Sequence, residues 1–190
     1  MKLIRRRVHS PFEAGFKCVA TIGNFDGVHL GHQAILKEAQ ELARAKDLPS
    51  VVITFEPTPS EFFLREKAPF RLMGFREKFE ILQDLGIDLM CVLHFNLEMA
   101  STPAENFIQT ILVQGLGVQD LVVGQDFRFG KNREGDLALL QKMGKSKGFS
   151  THLAPTVLKD NHKISSTRIR HAMDQGKMED VVSFLGRKVK

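Results

Sequence analysis

Cysteine is scarce in this 190-residue chain, at two residues, Cys18 and Cys91. Both sit in short apolar runs, so a disulfide framework is not expected and buried free thiols in a reducing compartment are. Long apolar runs are missing too. No stretch approaches the ~20 residues that cross a bilayer as a helix, and the opening MKLIRRRVHSPF carries basic residues with no signal-peptide core behind them. A cytoplasmic, globular protein is expected. The phosphate-loop pattern GxxxxGK(S/T) does not occur, and the glycines at 23, 27 and 31 are four apart, which is not the GxGxxG of a dinucleotide reader. RNP-like aromatic motifs, zinc fingers and a helix-turn-helix signature are absent as well.

What is present bounds the answer further. A hydrophobic fraction of 43% and a charged fraction of 26% suit one domain over residues 1–190. The net charge of +5 is unevenly spread. Residues 1–17 hold five bases against one acid, residues 18–141 eleven against seventeen, and residues 142–190 eleven against four. Basic ends without a nucleic-acid motif favour small anionic partners over nucleic acid.

Strand-like runs recur at 18–22, 51–55, 89–95, 121–123 and 150–154, with helical patterns at 30–46, 75–85, 103–116 and 134–143. Ser101 or Thr102 is the expected cap of the third helix, which has Pro103 inside its start. The alternation predicts an α/β fold, a Rossmann-like doubly wound parallel sheet of about five strands. Ligands in such sheets bind beyond the carboxyl ends of the strands, so the loops that follow strands are the places to search.

The first such loop, GNFDGVHLGH at 23–32, puts His29 and His32 where a buried strand becomes a helix. A helix start offers unpaired N–H groups and positive dipole to phosphate oxygens, and imidazoles add donors. Gly23, Gly27 and Gly31 let the backbone turn and approach a ligand. A zinc site is the weaker reading, because HxGH lacks the glutamate of HExxH and no carboxylate or cysteine cluster accompanies it. The loop at 164–170, ISSTRIR, supplies hydroxyls before a helix together with Lys163, Arg168 and Arg170, a second anion site. Two phosphate sites on one sheet suggest a nucleoside triphosphate held at both ends, attacked at its α-phosphate with pyrophosphate leaving. Phe62 and Phe63, after the double-proline break at 57–59, read equally well as core; Phe127 and Phe129 alternate with polar neighbours in the segment after LVV.

These residues resemble the nucleotidylyltransferase superfamily, whose marks are HxGH after the first strand and a late ISSTxxR. More narrowly, GNFDGVHLGHQAIL, TFEP with its second proline, and VVGQDFRFGKNREGD are similar to the FMN adenylyltransferase (FAD synthetase) module of bacterial bifunctional riboflavin kinase/FAD synthetases. The resemblance implies transfer of AMP from ATP to FMN, giving FAD and pyrophosphate. It implies catalytic roles for His29, His32 and Arg170, and an ATP site of Gly23, Phe25, His29, Gly31, His32, Lys163, Ser166, Thr167 and Arg170. A flavin side of Phe62, Asp126 and Phe129 is implied too, with magnesium carried chiefly by substrate phosphates and no protein metal site. Arg168 falls at a position that the motif leaves open. Thr58 stands where the family usually has histidine, in TFEPHP. No residues of a riboflavin kinase domain are present, so no kinase activity is expected; such a module in a longer parent chain is a possible partner. A catalytically idle flavin or nucleotide sensor, or a transferase with another acceptor, are the alternatives.

Overall fold

Cys18 to Ile22 form a strand with all five residues buried, as small and β-branched side chains on the middle strand of a covered sheet must be. The computed structural model describes residues 1–7 and 15–188; the middle of the basic N-terminal stretch, 8–14, lies outside them. Among the described residues six strands, β1 (Lys2–Arg6), β2 (Cys18–Ile22), β3 (Ser50–Glu56), β4 (Leu89–His94), β5 (Val118–Val123) and β6 (Ser150–Leu153), pair in the order β1-β4-β3-β2-β5-β6. Every neighbouring pair is parallel.

The sheet has one strand more than expected. β1 is absent from the sequence pattern because KLIRR is mostly charged, which is what an edge strand with solvent on one side tolerates. Its register on β4, from Lys2 opposite Leu89 to Arg6 opposite Leu93, uses the backbone and leaves Lys2 and Arg5 exposed, with Arg6 half-buried. Arg5 lies over the Phe75 ring, 5.0 Å from its centroid. Part of the basic N-terminal charge thus serves the fold.

The helices are α1 (Leu30–Ala45), α2 (Pro59–Leu64), α3 (Phe75–Asp84), α4 (Leu97–Ser101), α5 (Ala104–Phe107), α6 (Leu137–Lys147), α7 (Ser166–Asp174) and α8 (Met178–Leu185). α5 continues into a π-helical stretch, Ile108–Gly115, and a short hairpin, β7 (Leu158–Lys159) with β8 (His162–Lys163), precedes α7. The expected cap at Ser101 or Thr102 is corrected: Pro103 is the cap residue of α5, while both hydroxyls turn back to α4, donating to Leu97 and Glu98 carbonyls. Helix 134–143 starts later, at Leu137, because Asp136 caps it by accepting from Leu139 N–H at 2.9 Å.

Alternate residues of the strands feed opposite faces. Cys18, Ala20, Ile53 and Cys91 pack on Phe107, Ile108, Leu112 and Leu140; Val19 and Val122 pack on Ala39 and Ala43 of α1, and Val52 and Met90 on Leu36 and Leu82. Cys18 and Cys91 are free thiols, both pushed up to about 12 by burial. Among the described residues no helix is long and apolar enough to cross a membrane. The chain runs β2, β3, β4 in one direction and then returns to set β5 on the other flank of β2. That reversal opens a crevice at the carboxyl ends of β2 and β5.

Candidate active site

The crevice holds both of the phosphate-seeking loops. His29 ends the loop after β2 as the N-cap of α1, in extended backbone (φ −70°, ψ 170°). Its Nδ1 accepts the backbone N–H of His32 at 3.2 Å, and the two imidazoles stack with centroids 3.7 Å apart and planes inclined by 16°. Since a backbone N–H only donates, Nδ1 of His29 is unprotonated and the neutral ring carries its proton on Nε2. Burial, with Lys163 adding repulsion, pushes His29 down to about 4. Burial lowers His32 well below the usual histidine value too, aided by His29, Lys78 and Lys163. Both rings are therefore neutral at pH 7. His32 Nδ1 is buried and has no hydrogen-bond partner among the described residues.

Gly31 between them sits in a tight space. A Cβ there would meet the His29 ring at 3.1 Å and the Ile164 carbonyl at 3.3 Å, so any larger residue would press the ISSTRIR segment away from the start of α1. Ser165 caps α7, accepting from Arg168 N–H at 3.2 Å, and Ser166 donates to the Asp26 carbonyl at 2.8 Å. The starts of α1 and α7 thereby face one cavity of about 310 Å³. Of the expected residues, His29, Gly31, His32, Lys163, Ser166 and Thr167 line it. Gln125, from the segment after LVV, lines it as well, as do Thr156 and Val157, which were not expected from the sequence.

The remaining expected residues stand around rather than in the cavity. Gly23 ends β2 with its N–H on the Ile53 carbonyl at 3.0 Å. Phe25, fully buried with φ 49°, sets its ring 5.1 Å from that of His32. Arg170 is engaged by the Asp26 carboxylate and donates to the Phe70 carbonyl at 2.7 Å. Asp26 accepts the Leu72 N–H at 3.0 Å; burial nevertheless raises its carboxyl above the usual aspartate value, against the pull of Arg170. Arg168 donates to the carbonyls of Lys159 and His162, both at 2.9 Å, and lies over the Phe184 ring, so it holds the β7–β8 hairpin onto α8.

The flavin-side candidates are split. Lys163 reaches across to Asp126, which is otherwise exposed. Phe62 packs edge-on against Phe63 and Phe95, with Phe63 itself 63% exposed. Phe129 is buried, stacked on Phe127 and tilted against Phe107. Thr58 has a plain local role. It caps α2 in a capping box with Glu61, which together with Glu56 clamps Arg71. Among the described residues no group of three or more His, Cys, Asp or Glu side chains converges as a metal site.

The parallel sheet thus carries HxGH at its switch point, with the capped ISST helix start facing it across one cavity. A family model described as FAD synthetase matches residues 13–168, and the chain belongs to that family. It is 45% identical over 187 residues to the bifunctional riboflavin kinase/FMN adenylyltransferase of Escherichia coli K12, covering 98% of this chain and 59% of the relative. Against the Pseudomonas fluorescens protein of the same description the identity is 46% over 170 residues, covering 90% of this chain and 54% of that one. The chain therefore spans little more than half the length of these relatives. Among solved structures, a Streptococcus pneumoniae chain described as a macrolide-efflux protein superposes with TM-score 0.81 at 26% identity, covering 99% of this chain and 71% of its own. A Francisella tularensis pantoate-β-alanine ligase (TM-score 0.53, 15% identity, 89% of this chain and 72% of that) shares the fold.

Proposed function

We propose that this chain transfers AMP from ATP to FMN, releasing pyrophosphate and FAD. The observation that carries the reading is the pair of neutral, stacked imidazoles at the meeting of two helix starts on one cavity. A phosphate oxygen of FMN attacks the α-phosphorus of ATP; the new P–O bond forms as the bond to the β-phosphate oxygen breaks, and pyrophosphate carries the electron pair away. His29 offers Nε2–H toward the charge that grows on the α-phosphate, and His32 stands beside it as the stronger candidate for stabilising that charge. Ser166, Thr167 and the free N–H groups of α7 take the β and γ phosphates, with Lys163 near at hand once it leaves Asp126. Arg170 joins them by exchanging the Asp26 carboxylate for phosphate. Gly23 and Phe25 shape the nucleotide side, and Phe62, Asp126 and Phe129 the flavin side.

Magnesium is proposed to arrive on the phosphates. Asp26 and Asp126 are each engaged by a cation, so the donor set fits an ion that keeps its waters and substrate oxygens and asks for few protein ligands. When bound it supplies neutralisation of phosphate charge. The single domain over 1–190, partnership with a riboflavin kinase module in a longer parent chain, and a cytoplasmic setting, where ATP is abundant and thiols stay reduced, complete the proposal. Incubating the chain with FMN, ATP and magnesium and separating the flavins tests it. FAD formed in step with pyrophosphate supports the reading; FMN left intact while another acceptor is adenylylated refutes it.

A further inference from the structure

We propose that Lys78 is a positioning residue for the transfer: from α3 it grips the Asn24 carbonyl and, through that turn, sets Phe25 against His32. The proposal rests on the reading of His32 as a donor to the reacting phosphate. Lys78 is 3% exposed, rare burial for a lysine. Its Nζ donates to Asn24 O at 2.7 Å, while Thr54 Oγ1 reaches the same oxygen only at 3.4 Å. Among the described residues none of the ion pairs within contact distance uses it. On the inward face of a helix an apolar side chain of the same length would avoid the desolvation cost, so packing alone does not account for an ammonium here.

What it holds is a strained turn. Phe25 adopts φ 49°, a left-handed conformation that is strained for a phenylalanine and persists only under outside constraint. The Phe25 ring and the stacked His29 ring both lie against the His32 imidazole, whose Nδ1 has no hydrogen-bond partner among the described residues. Movement of the Asn24–Phe25 peptide therefore moves the imidazole. The titratable groups around His32 are His29 from the α1 cap, Lys78 from α3 and Lys163 from β8. All disfavour an imidazolium. Those around Lys78 are Asp26, Glu56, Glu61 and Arg71; burial pulls the ammonium down, and Asp26 and Glu56 oppose this.

The test is K78M, with K78Q carrying the same readings if K78M does not fold. In the full chain, the His32 ring is titrated by NMR, and kcat and KM for pyrophosphate release with FMN are measured. The expected result is a His32 midpoint shifted to higher pH, kcat lower by about 10-fold or more, and KM for ATP within about threefold. K78R, which keeps the charge, is expected to hold the wild-type midpoint. An unmoved midpoint or an unmoved kcat in a folded variant overturns the proposal. Failure of the FMN reading is separate, because it shows in the wild type as no pyrophosphate release.

Discussion

The Nδ1 atom of His29 accepts the backbone N–H of His32 at 3.2 Å while the two rings stack at 3.7 Å. One contact thus performs two tasks. It caps α1, and it fixes the His29 tautomer so that the donor, Nε2–H, is the ring atom left for a ligand.

The two tasks separate by substitution. His29→Asn keeps a strong helix cap and loses the imidazole, so its stability is expected within about 1 kcal/mol of wild type while turnover collapses; His29→Ala loses both. Urea unfolding beside steady-state kinetics reads the split. An Asn variant as active as wild type removes His29 from the chemistry.

His32→Ala removes a charge-stabilising donor that matters most in the transition state. About a 100-fold loss of kcat is expected, with KM for FMN changed less than about threefold. A variant that loses FMN affinity instead, at unchanged kcat, assigns His32 to binding.

Acid should weaken the fold through the same histidines. The folded pKa of His29, about 4, lies below its unfolded value of 6.5, so the unfolded chain binds more protons between those values. This contribution is full above pH 6.5 and is lost as pH falls toward 4, on the order of 3 kcal/mol. The urea midpoint of wild type is expected to fall relative to that of His29→Asn as pH drops across this window, and parallel curves contradict it.

Asp26 and Arg170 are both largely buried, with side chains 12% and 17% exposed. Asp26→Asn strands the guanidinium and is expected to cost about 3 kcal/mol, the lower end for a buried pair broken from one side. Combining it with Arg170→Met should recover part of that loss. Strict additivity in the double-mutant cycle contradicts a direct coupling.

The site was more legible than its supports. HxGH and ISST were readable because their residues act through local geometry, a strand end followed by a helix start, which spacing reveals. β1 was not, because an edge strand of bases leaves no apolar pattern. Lys78 carries no motif and drew no reading from the sequence, and only the packing of α3 shows its ammonium buried against the Asn24 turn. Asp26 lay inside the quoted loop, yet its partner is 144 residues away, a pairing that no local pattern carries. Phe129 alternated with polar neighbours as a strand would, and the bridge to Gly135 put its ring into the core.

The most direct measurement follows phosphorus. ATP labelled at the α-phosphate, incubated with the chain, FMN and magnesium, is expected to deliver its label to FAD, while label at the γ position appears in pyrophosphate. Label from the γ position in the flavin, or from the α position in free AMP with FMN unchanged, contradicts attack on the α-phosphate beside His29 and His32.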